Sequence, residues 1–463
     1  MHRVIAKYGL AAHLAFLAVA PLFLFPFCSA SATATVVLWL SLVAAAWCLL
    51  VPSVRSNEPL HVARRRVLSG VCRDPLFWTS LALVAFTGLR ALNGGVRMVY
   101  DVEDAAWRLA SPTVEAFCGC VDGTGYLPFA VTVALVVVTV GARQALGRAA
   151  RMAFLLVASA GAGLAAVVAL VAANQGSEAC RQMLLASPDA SSYFGFAEGF
   201  YFLCGIVALT TAFERAWARA MPLFALAVGG TALGVFAFAP AAASVLFGAL
   251  ALVVLLAAFV YLFFAVGRTS QFRYIAVLGI ALALAALTAA FVLPAELLQT
   301  KLDAFKDFAL VPEGFFELRG TLSEIAQRAW KTAPWAGTGL GSFALDVRFQ
   351  ATPEDWLVLP RGVATIANGG WLLLAERGLV GAVAVALPFC FIAWSFMRRA
   401  AAWATGGHLR APHPGVLLAP LVLVALAATV PFDGSFLRPD ALLAAIAAAA
   451  VAPKCFPKTE KKN

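Results

Sequence analysis

Between Pro334 and Gly378 the chain gathers side chains suited to hold an anion and to move a proton. Arg348, Arg361 and Arg377 lie inside this stretch, and Arg319, Arg328 and Lys331 lie just ahead of it. A guanidinium presents a planar fork that matches phosphate oxygens, so arginines grouped in this way suit a phosphorylated ligand. Asp346 and Glu376 add carboxylates, with Glu317 shortly before them. A carboxylate that burial moves toward neutral pH can take the proton of a hydroxyl. The backbone carries its own signal. Gly337, Gly339 and Gly341 occupy alternate positions of PWAGTGLGSF, which suits a tight turn or the close approach of another group to the main chain. It is not a dinucleotide fingerprint, because the third glycine follows the second by two residues instead of three and a tryptophan-bearing amphipathic segment precedes it. The five histidines, His2, His13, His61, His408 and His413, all lie elsewhere, so this stretch has no imidazole. Cys118 and Cys120 make a poor metal site without a second cysteine pair or a histidine beside them, and no metal is expected.

The elements that hold this stretch are of another kind. The chain of 463 residues is 62% hydrophobic and 13% charged, with a mean hydropathy of +0.88, which excludes a soluble multidomain fold. Runs long enough to cross ~30 Å of hydrocarbon occur near 9–28, 34–52, 76–92, 125–142, 152–173, 194–213, 221–239, 242–266, 274–293, 379–397 and 414–431, with a weaker one at 439–453. The expectation is an all-α integral membrane protein of about twelve transmembrane helices. Its first run reads as an anchor and not a cleaved leader, because so many spans follow. A large, partly helical loop separates the ninth and tenth helices. The division is 1–293 for helices one to nine, 294–368 for the loop, 369–453 for the last three helices and 454–463 for a basic tail.

Charge orients the bundle. Arginines 55, 64–66 and 73, then 143, 148 and 151, then 215 and 219, then 268 and 273, then 398, 399 and 410 fall on one side when the spans alternate. By the positive-inside rule that side is cytoplasmic and holds both termini. The net charge of +10 is therefore a topology signal, and no basic soluble domain exists to hold nucleic acid. Of nine cysteines, Cys118, Cys120 and Cys180 fall in outer loops, where a bond from Cys180 to either of the others is open to an oxidising compartment. Residues 93–124 read as a short interfacial helix. In the long loop, 293–311 and 321–333 read as amphipathic helices, the second capped by Thr321 with Glu324 as its capping-box partner. Ala239-Pro240-Ala241 reads as a tight hairpin. Glu198 falls about one turn inside the sixth span, and the spans are otherwise expected to be bare of charge apart from His13. An acid there is a functional candidate because an unpaired intramembrane charge is costly. Trp330, Trp335 and Trp356 read as interfacial anchors.

The pattern Pro-x-x-Gly-x-Gly-x-Gly-x-Phe, then Asn368 about 25 residues on, then LLAERGLVG over 373–381 resembles the signature region of the O-antigen ligase and O-antigen polymerase family of bacterial membrane proteins. The likeness is sharp over 319–381 and architectural elsewhere. It implies glycosyl transfer at the periplasmic face from a polyprenyl-diphosphate-linked oligosaccharide to an acceptor such as a glycan or lipid A core, with membrane lipids as surroundings and no cofactor. It implies diphosphate binding by Arg319 first and Arg348 next, with Arg328 and Arg361 beside them, on a motif backbone of Gly337, Gly339, Gly341 and Asn368. One departure matters. Ligases of the family carry a histidine just ahead of the asparagine that aligns with Asn368, and here those positions are Thr365-Ile366-Ala367. Three readings follow: a carboxylate base among Asp346, Glu376, Glu198 and Glu317; a polymerase, in which that histidine is less regular; or a relative that binds lipid-linked glycan without transferring it. A flippase is the reading from another class, and it predicts ionisable residues within the spans.

Overall fold

The computed structural model describes residues 2–24, 27–52, 59–103, 105–110, 119–120, 125–177, 180, 193–239, 241–265, 268–292, 295–310, 312–359 and 369–405. The fold is helical apart from one hairpin. Helices α1 (His2–Leu24), α2 (Ala30–Leu50), α3 (Leu60–Cys72) and α4 (Pro75–Leu92) lead to β1 (Arg97–Asp101) and β2 (Ala106–Ala110). Then come α5 (Tyr126–Gln144), α6 (Arg148–Asn174), α7 (Tyr193–Phe224), a π-helical turn (Ala225–Gly230), α8 (Thr231–Phe238), α9 (Ala241–Ala265) and α10 (Arg268–Val292). The remainder is α11 (Ala295–Leu310), α12 (Pro312–Thr332), α13 (Phe343–Gln350), α14 (Asp355–Val358) and α15 (Gly369–Thr405).

Five helical stretches, Ser31–Leu50, Pro75–Leu92, Tyr126–Gln144, Ala153–Asn174 and Gly370–Pro388, are long and apolar enough to cross a membrane. Shorter apolar helices run over Gly9–Leu24, Phe194–Leu209, Pro222–Phe238, Ala243–Leu256 and Ile275–Thr288. The expected eleventh and twelfth spans, 414–431 and 439–453, lie outside the described residues, as does the basic tail. The outer faces of these helices are greasy. Trp39 on α2, Leu252 and Leu256 on α9 and Trp394 on α15 are all more than half exposed, the opposite of a soluble surface. The chain is an all-helical membrane protein carrying one small sheet.

Small residues let the helices close on one another. The α6 residue Gly163 abuts the carbonyl of Leu226, and Gly205 on α7 abuts that of Ala227; a Cβ at either glycine would lie 2.0 or 2.1 Å from the oxygen. The Phe194 and Phe238 rings meet at 4.7 Å, so the chain folds back on itself between the start of α7 and the end of α8. Residues 194–213 and 221–239 thus form a returning pair, and α9 follows after the expected break at 239–241.

One end of the bundle carries the hairpin and α11 to α14, and is called here the loop face. At the opposite end Asp74 caps α4 through the Leu76 amide at 3.1 Å. The same buried carboxylate accepts hydrogen bonds from Arg143 Nε at 3.2 Å and Gln144 Nε2 at 2.7 Å, tying α4 to α5. Eighteen residues of helix, about 27 Å, then deliver Arg90 to the loop face in the last turn of α4.

Two expectations fail here. The expected interfacial helix is replaced by a hairpin: RMVYD, with strand-favouring Val99 and Tyr100, pairs antiparallel with AWRLA, Arg97 opposite Ala110 and Asp101 opposite Ala106. Thr321 caps nothing. The helix begins at Pro312, and the Thr321 hydroxyl donates back to the Glu317 carbonyl at 3.2 Å inside it. The disulfide expectation also meets an obstacle: Cys180 is a free thiol packed in the bundle core, and Cys118 lies outside the described residues.

Candidate functional site

The glycine stretch folds as a loop that closes onto a break in α15. Gly337, Gly339 and Gly341 have φ of 72°, 121° and 74°, in the left-handed half of backbone space that other residues avoid. Gly378 has φ 63° and ψ −174°, and there α15 stops and restarts. Four backbone hydrogen bonds join loop to break. The amides of Thr338 and Gly339 donate to the carbonyls of Ala375 (2.8 Å) and Glu376 (3.1 Å), and those of Leu379 and Val380 donate to Pro334 (2.9 Å) and Trp335 (3.2 Å). The break frees carbonyls and amides that an unbroken helix would consume, and the loop satisfies them. Contact is so close that a Cβ on Gly337 would sit 2.5 Å from the Arg377 nitrogen, and one on Gly378 would sit 2.2 Å from the Trp335 oxygen. The next residue, Leu340, donates its amide to Gly119 at 3.0 Å, and Val96 donates to Cys120 at 3.0 Å, so the segment beside the hairpin is part of the same assembly.

Behind the loop a small apolar core fixes the frame. Leu322, Ile325, Ala326 and Ala329 form one face of α12 and pack against Phe343 and Val347 of α13 and Leu372 and Ala375 of α15. Asp346 is sealed at its edge, 3% exposed. Its Oδ2 accepts from the Thr338 hydroxyl at 2.6 Å and the Ser342 hydroxyl at 3.2 Å. Burial pushes the carboxyl up to about 6, against the pull of those two hydrogen bonds. Glu376 is half-buried on the other side of the loop, where the amides of Gly341 and Phe343 and the neighbouring Arg377 address its carboxylate.

The feature that sequence reading missed is cationic. Arg90 is fully buried, donates Nη1 to the Glu376 carbonyl at 2.6 Å and lies with its guanidinium 4.9 Å over the Phe86 ring. Arg377 is 5% exposed, and its Nη1 has no hydrogen-bond partner among the described residues. The two guanidiniums stand near enough to repel one another. Gly381 allows this, since a Cβ there would meet Arg377 Cβ at 2.4 Å and Phe86 Cζ at 2.9 Å. Two buried guanidiniums thus lie near one another, with the Glu376 carboxylate acting as a counter-charge on Arg377, an arrangement whose chemistry suits an anion. The spans were expected to be free of charge here, yet a lone arginine in the apolar run 76–92 was the visible signal.

The other sequence candidates scatter. Arg328 pairs with Asp355 at 2.5 Å. Burial opposes the charge of Asp355, but the Thr352 amide and hydroxyl and Arg328 outweigh it and hold the carboxyl below its ordinary range. Arg328 is thereby a tie between α12 and α14. Arg348 on α13 and Glu317 on α12 are exposed and outside the network. Arg319 lies on α12, with its side chain outside the described residues, and Arg361 and Asn368 lie wholly outside them. Trp335 and Trp356 are exposed, and Trp330 packs on Trp371 with ring centroids 6.1 Å apart. Glu198 belongs elsewhere, buried in α7. Among the described residues no group of histidine, cysteine and carboxylate side chains is arranged to hold a metal ion. No protein-family model matches the chain, and a search of curated proteins finds no match.

Proposed function

We propose that the protein is a membrane glycosyltransferase of the O-antigen ligase and polymerase kind, using a polyprenyl-diphosphate-linked glycan as donor. The loop face is then periplasmic, both termini are cytoplasmic, and about twelve helices span the inner membrane. The observation that carries the reading is the buried pair Arg90 and Arg377 at the junction of the glycine loop and the broken helix. A diphosphate leaving group needs its growing charge met by fixed cations in a water-poor site, and this pair supplies two. In the step proposed, an acceptor hydroxyl oxygen attacks the anomeric carbon and the bond from that carbon to the diphosphate oxygen breaks. The electron pair leaves with the diphosphate toward Arg90 and Arg377, and the hydroxyl proton passes to a carboxylate. Glu376, beside Arg377 and only half-buried, is the base this arrangement favours. Asp346, sealed behind the loop, positions it through Thr338 and Ser342. Arg348 and Arg319 remain candidates for guiding the donor from outside. The acceptor is a growing glycan if the protein polymerises, or lipid A core or another carrier if it ligates.

A deletion strain complemented with Arg377→Ala and Arg90→Lys tests this by surface-glycan gel beside an assay of carrier-linked glycan. Transfer should fall about 100-fold in Arg377→Ala, the scale of losing one preorganised charge-stabilising donor. Single repeat units on the acceptor identify a polymerase, and long chains stranded on the polyprenyl carrier identify a ligase. Full glycan assembly by both variants would overturn the clamp. A flippase, the second reading, is favoured by the buried carboxyl of Glu198 and would leave donor trapped on the cytoplasmic leaflet.

A further inference from the structure

Glu198 is a candidate residue that lies away from the loop-face site, buried in the bundle. It sits five residues into α7 from Tyr193, and its side chain is 0% exposed. Neither carboxylate oxygen has a hydrogen-bond partner among the described residues. Room has been left for it: a Cβ at Gly234 of α8 would lie 2.6 Å from Glu198 Cγ and 2.9 Å from the Ala166 methyl of α6. A carboxyl so placed must take up either a proton or a cation, because a bare charge in apolar packing is too costly. A metal cation needs several ligands, and among the described residues no group of histidine, cysteine and carboxylate side chains is arranged to hold one. The proton is left.

Other proton-carrying groups lie along the same seam. One turn further along α7 the Tyr201 hydroxyl, also buried, donates to the Ala18 carbonyl of α1 at 3.3 Å. Cys204 follows, close enough to bear on Tyr201 electrostatically, as Glu198 does from the other side. Toward the loop face, Lys301 of α11 reaches the Ala239 carbonyl at the end of α8, with Nζ to oxygen 3.4 Å. Burial pulls its ammonium down to about 8, so it releases a proton more readily than an ordinary lysine. Gly234 and Ala239 are five residues apart, which places Lys301 about 7.5 Å nearer the loop face than Glu198 along α8. The other packed elements are silent. Residues 153–174 of α6 and the whole of α8 carry no titratable side chain, α9 presents Phe247 against Gly199, and the nearest such group on α1 is His13, one and a half turns from Ala18. A π-helical turn, a form that recurs at functional sites, sits at the inner end of the same seam.

We infer that Glu198 is an exchangeable proton site inside the bundle, loaded from the loop face by way of Lys301 and relayed inward by Tyr201, so that the packing of α7 against α6 and α8 responds to protons. This activity is separate from the glycosyl-transfer reading and stands on the bundle alone.

Infrared difference spectra of the full chain in lipid vesicles, taken in H2O and D2O, test it. Wild type should show a protonated-carboxyl carbonyl band that is lost in Glu198→Gln and shifts to lower frequency on deuteration. Tyr201→Phe and Lys301→Gln should keep the band and slow its deuteration about tenfold or more, and both leave the α7 carboxyl and its packing in place should Glu198→Gln fail to fold. A band at this position that never shifts in D2O, that survives Glu198→Gln, or that exchanges at wild-type speed in both other variants would overturn the proposal.

Discussion

Asp346 and Glu376 flank one loop from opposite sides, and only the first is shut away. A buried acid whose pKa rises from 3.8 to about 6 is most at ease when protonated. Its favourable contribution to the fold is present below about pH 4 and is lost as pH rises through about 6, a swing of at most about 3 kcal/mol. The segment around 334–346 should therefore show greater hydrogen-exchange protection at about pH 5 than at about pH 7.5. Asp346→Asn should flatten that dependence while keeping the acceptor for Thr338. A pH-independent wild type would show that the two hydroxyls compensate fully. At this scale the sequence was half legible. Asp346 and Glu376 stood out because acids are scarce in so apolar a chain. Arg90 did not, because a single cation near the end of an apolar run is ordinarily read as the place where the membrane stops. Nothing local says that a residue 286 positions away will bury it.

The loop and the broken helix form one element in physical terms, since each satisfies the other's backbone groups. Gly337→Ala must meet both a positive φ and a Cβ 2.5 Å from the Arg377 nitrogen, with no flexible side-chain tip to yield. We expect a loss of more than about 2 kcal/mol, read as a lower thermal midpoint in detergent. Gly320→Ala, in the open on α12 with nothing within 4 Å of its Cβ, should instead gain about 0.5–1 kcal/mol through helix propensity. Equal effects at the two sites would refute the staple. The alternate glycines announced a special backbone, but not what it approached, because the partner strand of bonds lies some forty residues on. The α12 face was legible from its 3.6-residue period, yet its start was misplaced: Thr321 and Glu324 imitate a cap, while Pro312 supplies the true first turn. The hairpin was misread because its strands are only five residues long and neither alternates apolar with polar residues, so no strand period is visible.

For the molecule as a whole, helical membrane character followed directly from composition, while the way the helices nest did not. Gly163 and Gly205 decide where α6 and α7 touch the π-helical turn, and Gly195 where α7 touches the end of α8, backbone to backbone, and in a glycine-rich chain these three look like any others. The proposed orientation predicts that a cysteine at Val102, 82% exposed at the hairpin tip, reacts with a membrane-impermeant thiol reagent on intact spheroplasts of a cysteine-free strain. One at exposed Arg65 of α3 should react only after lysis, and the reverse pattern would invert the topology. The closure of loop onto helix has a further meaning for biogenesis. Residues 334–340 leave the ribosome before 375–380, so the loop's amides wait, wet, until the helix carrying their partner carbonyls is made. Inserting that helix and closing that loop are then a single event. A lesion at Gly337 or Gly378 would leave a chain that quality control removes before it meets any substrate. A null phenotype at either glycine reports how much protein survives assembly, and cellular abundance has to be measured before such a phenotype is assigned to catalysis.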